Sequence, residues 1–316
     1  MKLAVLGVGV VGKAVLERAE AKDHEIVAVA DSSSAAVDSD GLDTGKILSR
    51  KSYRDRVGNA DVEDALAADY DVLIEATPTT LGDAEPGFTN VRTALERDRH
   101  AVLANKGPVA QRYSELRDIE DASAGTMLFE ATVGGAIPVL STIADHAGDV
   151  SAVRGVLNGT ANFILSRMST EGLDYEHILA EAQDLGVAED DPSFDVQGTD
   201  TAMKCVILAN VLAEEDREFS LEDATVEGIK DIPGSALELA REDGRTIRLI
   251  GEVTDDDIRV SPRLVPEHSE LAVSGTTNIV QLETANAGRL NLSGRGAGGP
   301  ETATAILADV NRLPER

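Results

Sequence analysis

Gly7-Val8-Gly9-Val10-Val11-Gly12 decides how the N-terminal half of this chain is read. The stretch follows Lys2-Leu3-Ala4-Val5-Leu6, an apolar run of strand type, and opens a helical pattern over 12–22. Each glycine has a steric purpose: one makes a tight turn, one lets the backbone approach a phosphate, and one lets the helix pack closely on its strand. The N–H groups at the helix start then face the phosphate. A second strand at 25–31 ends on Asp31, 19 residues beyond Gly12, where an acid reaches the ribose hydroxyls of a bound dinucleotide. The spacing of the glycines alone is a weak signal. With a strand before it, a helix after it and an acid at the next strand end, it predicts a dinucleotide site built from Gly7, Val8, Gly9, Val10, Val11, Gly12 and Asp31.

The rhythm continues outward from this turn. Apolar runs recur at 70–76, 100–105 and 126–133, separated by helix-like stretches at 87–98 and 108–122. Alternating strands and helices predict a parallel sheet covered on both faces, so the fold class is α/β with an N-terminal Rossmann domain over 1–134. After Gly134 helical patterns dominate at 136–147, 160–170, 175–185 and 200–214, with β-like runs at 150–157, 246–254, 258–265 and 278–284. That mixture predicts an α+β substrate and dimerisation domain over 135–293. The last segment, 294–316, reads as a Gly-rich turn into a helix that returns to the first domain.

The charge balance excludes one class of function. Against 57 acidic residues stand 29 basic ones, a formal net charge of -28 on 316 residues, with the acid spread along the whole length. A field of this sign opposes DNA or RNA. Such self-repulsion is tolerated where salt shortens the Debye length to about 3 Å, and only 8 of the 29 basic residues are Lys; both point to a halophilic source. Cys205 is the one cysteine, so no intramolecular disulfide forms, and the five His are scattered without zinc-like spacing. No apolar run is long enough to span a bilayer, and the start runs straight into the Gly-rich turn rather than a signal peptide. A cytoplasmic enzyme without a membrane partner is the expectation.

The cofactor is NAD or NADP. Asp31 favours NAD, yet Ser32, Ser33 and Ser34 could bind a 2′-phosphate, with Lys46, Lys51 or Arg54 as counter-charges. Lys106, in Ala104-Asn105-Lys106-Gly107, and Thr77 both end strands of the first domain, and ligands of open α/β sheets lie beyond the carboxyl ends of strands. Asp200 and Lys204 are four apart on a helix, hence on one face, and the following Cys205-Val206-Ile207-Leu208-Ala209 buries that helix. A lysine whose pKa falls on burial can carry the proton that accompanies a hydride transfer. The loop Glu189-Asp190-Asp191-Pro192-Ser193-Phe194-Asp195 supplies further carboxylates.

These segments, with Glu130-Ala131-Thr132-Val133-Gly134-Gly135-Ala136-Ile137-Pro138 and Gly155-Val156-Leu157-Asn158-Gly159-Thr160-Ala161-Asn162, follow one another in an order that resembles the homoserine dehydrogenase family over nearly the whole chain. The resemblance implies NAD(P)-dependent interconversion of L-homoserine and L-aspartate 4-semialdehyde, in the branch leading to threonine and methionine. It implies Lys204 as acid/base, Asp200 as its substrate-contacting carboxylate, Glu189 on the substrate ammonium, and Lys106 between nicotinamide and substrate. It further implies Gly296 beside the cofactor, sodium or a similar ion on Glu130, Val133, Gly135 and Ile137, and a homodimer. Many members carry a threonine-sensing C-terminal domain; the chain stops after its closing helix, so feedback control by that route is not expected.

Two other readings stay open at this stage: another two-domain NAD(P)-dependent amino-acid dehydrogenase, and a dinucleotide sensor without turnover. A phosphorylating semialdehyde dehydrogenase needs a thiolate, and Cys205 reads instead as a small core residue.

Overall fold

The computed structural model describes residues 1–146, 148–213 and 217–314. The chain divides into two compact units, the first comprising Met1–Ala136 and Ala297–Arg316, the second Ile137–Gly296. The helix ends expected at 147 and 214 lie outside the described residues.

The first unit is built on a six-stranded sheet. Its strands are β1 (Lys2–Leu6), β2 (Glu25–Ala30), β3 (Ala35–Val37), β4 (Val72–Glu75), β5 (His100–Leu103) and β6 (Met127–Leu128), in the order β3-β2-β1-β4-β5-β6. All neighbours are parallel except β2 and β3. Strands β1 and β4 are continuous apolar runs because both faces are covered; Leu3, Ala4, Val5, Val72, Leu73 and Ile74 are fully buried. The helix Gly299–Arg312 joins this core through Ala303, Ile306, Leu307 and Val310, which cluster with Leu3, Val5, Val15 and Ile74.

The second unit carries another six-stranded sheet: β7 (Val150–Val156), β8 (Ala224–Val226), β9 (Arg245–Thr254), β10 (Ile258–Pro266), β11 (Thr277–Thr284) and β12 (Gly288–Arg295), ordered β12-β11-β7-β9-β10-β8. Its pairs are antiparallel apart from β8 with β10. The helix Thr199–Leu212 is buried all round from Asp200 to Asn210, so it is a core helix rather than an amphipathic one. It packs so closely on β9 that a Cβ on Gly251 would lie 2.6 Å from the Cys205 sulfur.

Several sequence expectations change. The run at 126–133 is a two-residue strand followed by a 3-10 turn, Glu130–Thr132. The helix expected over 108–122 is two helices, Lys106–Gln111 and Tyr113–Asp121. Lys106 therefore begins a helix rather than ending a strand. Strands β3, β8 and β12 were absent from the sequence reading, and all three lie at or beside a sheet edge, where burial leaves a weak pattern. Gly294 and Arg295 finish β12 and Gly296 closes the second unit, whereas the sequence boundary placed all three with the returning helix.

Candidate active site

In the first unit the glycine turn does what its spacing requires. Gly7 has φ +94°, and a Cβ there would meet the Ala76 carbonyl oxygen at 2.2 Å and the Thr77 nitrogen at 2.7 Å. A Cβ on Gly12 would lie 1.8 Å from the Gly7 oxygen. Gly9 differs, for nothing stands within 4 Å of its missing Cβ. It caps the helix Val10–Arg18 with no side-chain hydrogen bond to the first N–H groups. Open space above uncapped N–H groups suits a pyrophosphate. Val10, 74% exposed, flanks that space, and Val8 is buried beneath it; Val11 packs on the unit's core.

Asp31 follows β2 and its side chain is nearly buried. Oδ1 accepts from the Ser33 N–H and from the Ser33 and Ser34 hydroxyls at 2.9, 3.1 and 3.0 Å, while Oδ2 accepts from Lys51 Nζ at 3.0 Å. Burial pushes this carboxyl up, but the bonds from Ser33, Lys51 and Ser34 together outweigh it and hold the group below the usual aspartate range. Lys51 also contacts Asp55 at 2.6 Å, and these two carboxylates raise its pKa. Ser34 is fully buried and its hydroxyl accepts from the Val57 N–H, so it is removed from the candidate 2′-phosphate ligands. Ser32, Ser33, Lys46 and Arg54 are exposed.

Thr77 and Lys106 are tied together through a residue the sequence reading missed. Glu75, the last residue of β4, is fully buried. It accepts from the Thr77 N–H at 3.0 Å, the Thr77 hydroxyl, Asn90 Nδ2 at 2.8 Å and Asn105 Nδ2 at 3.3 Å. Asn105 in turn caps the helix that starts at Lys106, accepting from the Gly107 N–H at 2.9 Å. Burial pushes the Glu75 carboxyl up, against the hydrogen bonds from Thr77, Asn90 and Asn105. A carboxylate inside an otherwise apolar parallel strand was the signal available in the sequence.

Glu130 is buried at the start of its turn; its N–H donates to Asp309 at 2.9 Å and its carboxylate lies 3.8 Å from Arg312. Val133 and Gly135, the latter at φ +54°, continue the turn, while Ile137 opens the second unit.

The second unit carries the expected Asp200 and Lys204 pair. Gly198, at φ +88°, starts the helix Thr199–Leu212, and that helix places Asp200 and Lys204 on one face. Lys204 Nζ lies 2.6 Å from Asp200 Oδ2, with side chains only 7% and 9% exposed, and donates also to the Leu157 carbonyl at 2.7 Å. Asn158 Nδ2 bridges Asp200 Oδ2 at 2.9 Å and Asp195 Oδ1 at 2.7 Å. Burial first, and the Asp200 charge second, push the Asp195 carboxyl up. Glu189 is exposed, and its backbone carbonyl accepts from Gln183. Cys205 is fully buried and its thiol is pushed up to about 12 by that burial, which excludes a thiolate nucleophile. Gly296 packs against Asn278, whose side chain occupies the place of a Cβ.

Comparison with known proteins identifies the family. A family model described as homoserine dehydrogenase matches residues 138–310, and one described as the homoserine dehydrogenase NAD binding domain matches 7–130. The homoserine dehydrogenase of Methanocaldococcus jannaschii is 39% identical, covering 98% of this chain and 97% of that protein. An NAD(+)-dependent homoserine dehydrogenase of Pseudomonas canavaninivorans is 37% identical over 81% of this chain and 73% of its own length. A crystal structure from Archaeoglobus fulgidus matches with a TM-score of 0.91 at 40% identity, covering 99% of this chain and 98% of that one. With a glycine turn open to a pyrophosphate and a buried lysine on a carboxylate, the chain belongs to the homoserine dehydrogenase family, NAD(P)-dependent oxidoreductases that interconvert L-homoserine and L-aspartate 4-semialdehyde.

Proposed function

We propose that Lys204 is the acid/base of this reaction and that Asp200 orients it and contacts the substrate. The observation that carries this is the 2.6 Å pair between them, buried on a core helix. Bound NAD(P) supplies the hydride acceptor, or as NAD(P)H the donor. In the oxidative direction the neutral Lys204 amine takes the proton from the C4 hydroxyl of homoserine; in reduction the ammonium returns it to the carbonyl oxygen. Gly7 to Gly12, Asp31 and Thr77 hold the dinucleotide, Lys106 contacts cofactor and substrate, Gly296 lies beside the cofactor, and exposed Glu189 takes the substrate ammonium. Lys204→Ala tests the central assignment: homoserine oxidation, followed by nicotinamide absorbance, is lost while dinucleotide binding is kept. Full activity in that variant overturns it.

The finer assignments rest on separate observations. Asp31, neutralised by Lys51, admits NADP as well as NAD. The turn of Glu130, Val133, Gly135 and Ile137 supplies one carboxylate and backbone carbonyls, hard oxygens suited to sodium; titration of the apoprotein with sodium against potassium tests it. Two large apolar side chains of the second unit, Val226 and Leu264, are 40% and 55% exposed, and we read the chain as a homodimer. The net charge of -28 supports a halophilic source and no nucleic-acid partner. Among the described residues no helix is long and apolar enough to cross a membrane. We read the chain as a cytoplasmic enzyme of threonine and methionine biosynthesis.

A further inference from the structure

Asn158, two residues beyond β7, is more than the start of a helix. Its Oδ1 accepts from the Ala161 N–H at 2.8 Å, capping the helix Gly159–Glu171. That bond fixes which end of the amide faces which way, because the backbone donor demands the oxygen. The NH2 group is thereby turned away from the helix, and its two protons reach Asp195 Oδ1 at 2.7 Å and Asp200 Oδ2 at 2.9 Å. The side chain is 6% exposed and every polar atom on it has a partner. The residue before it, Leu157, offers its carbonyl to Lys204 Nζ at 2.7 Å. Two adjacent residues thus grip both members of the acid/base pair, one through a backbone oxygen and the other through a side-chain amide.

The charges explain why an amide is required. Asp195 comes from the short helix Ser193–Val196, and Asp200 and Lys204 come from Thr199–Leu212; the buried Cys205 thiol lies next to the pair on the same helix. Two carboxylates sharing a site with one ammonium repel each other, and one of them tends to take up a proton. An NH2 group between them donates to both and accepts from neither. The same Asp200 oxygen that meets this amide also accepts from Lys204 Nζ at 2.6 Å.

We propose that Asn158 is a positioning residue of the reaction: clamped by its own helix cap, its amide holds Asp195 and Asp200 apart in charge and together in space, and so aims Lys204. This rests on the assignment of Lys204 as acid/base. The test uses Asn158→Ser and Asn158→Asp, both of which keep a side-chain cap, with Lys204→Ala beside them. Thermal midpoint, kcat, KM and the pH dependence of kcat are measured for each. Expected is a loss of roughly 10- to 100-fold in kcat for both Asn158 variants, the scale of a small misplacement of reacting groups. KM changes little, and in Asn158→Asp the acid limb of the profile moves by about one pH unit or more, because a third carboxylate joins the cluster. If both variants lose thermal stability only, with wild-type kcat and pH profile, Asn158 is a helix cap and the proposal fails. Should Asn158→Ser not fold, the isosteric Asn158→Asp decides alone on the same two readouts. If Lys204→Ala retains activity, the underlying assignment fails and this proposal with it; an inactive Lys204→Ala beside unaffected Asn158 variants overturns the positioning role alone.

Discussion

Glu75 and Asn105 are hydrogen-bonded at 3.3 Å across the ends of two parallel strands, and the same asparagine caps the helix begun by Lys106. A buried carboxylate 31 residues away in sequence therefore sets where Lys106 starts. Glu75→Leu orphans the Thr77 N–H, the Thr77 hydroxyl and the Asn90 amide, while Asn105 keeps the Thr77 hydroxyl and the Pro78 carbonyl as acceptors. Since each buried orphan costs roughly 1–3 kcal/mol, a loss of ~3 kcal/mol or more is expected. Glu75→Gln recovers most of it, because its Oε1 still accepts and the Asn90 amide can reverse to meet the new NH2 group. Urea denaturation of the two variants checks this; equal losses in both sink it.

The three glycines of the turn separate packing from binding. Gly12→Ala drives a Cβ to 1.8 Å from the Gly7 oxygen and is expected to cost at or beyond the upper end of the ~1–3 kcal/mol typical of overpacking. Gly9→Ala meets no atom within 4 Å, so its thermal midpoint stays near wild type. Its dinucleotide affinity nevertheless falls by about tenfold or more, ~1.4 kcal/mol, as the methyl enters the space above the helix start. Fluorescence titration with NADH and NADPH reads the difference, and undiminished affinity in Gly9→Ala refutes the assignment of that space.

Lys51 is held between Asp31 and Asp55 at 3.0 and 2.6 Å. Removing it in Lys51→Ala leaves Asp31 an uncompensated anion, which still accepts from ribose hydroxyls but repels a 2′-phosphate. The ratio of kcat/KM for NAD over NADP is expected to rise about tenfold, equivalent to ~1.4 kcal/mol. An unchanged ratio removes Lys51 from cofactor choice.

How much of this was legible in sequence depends on where the causes lie. The central strands β1, β4, β7 and β9 showed as apolar runs because burial on the sheet wrote them there. Strand β12 carries Arg289, Asn291 and Ser293 between its apolar residues and is exposed along most of its length, so its pairing with β11 left only a faint trace. The Asp200 and Lys204 pair was legible because i,i+4 is a local relation. Asn158 meets Asp200 across 42 positions and Glu75 meets Asn105 across 30; such meetings are made by the sheets, and no periodicity encodes them.

Asp195 gives a pH signature with a definite sign. Burial, then the neighbouring Asp200, raises its pKa above the ordinary 3.8, so the folded protein holds this proton more tightly than the unfolded chain does. The associated stability is complete below about 3.8 and is lost as pH rises through the shifted value. Asp195→Asn keeps an oxygen for the Asn158 amide but cannot ionise. Relative to wild type it is expected to gain stability progressively from the acid range upward, then hold a constant difference once wild-type Asp195 is ionised. Urea midpoints of both proteins across pH 4 to 8 measure the gap; a difference independent of pH contradicts the raised pKa.

The acidity of the whole chain predicts its response to salt. With 57 acidic and 29 basic residues, one-to-one pairing still leaves 28 carboxylates uncompensated. Exposed ion pairs such as Arg112 with Glu115 or Arg289 with Glu283 each contribute little, typically under about 1 kcal/mol, and salt weakens them. The repulsion among the uncompensated carboxylates is longer in range and involves more charges, so its screening wins as the Debye length falls from about 10 Å at 0.1 M to about 3 Å at 1 M. The thermal midpoint is therefore expected to climb between 0.1 and 1 M potassium chloride, to climb similarly in sodium chloride, and to climb far less at pH 4, where the carboxylates begin to protonate. Scanning calorimetry over that grid distinguishes screening from specific ion binding. A midpoint that stays flat or falls with salt at neutral pH would show that local ion pairs, and not the net field, dominate the stability of this protein.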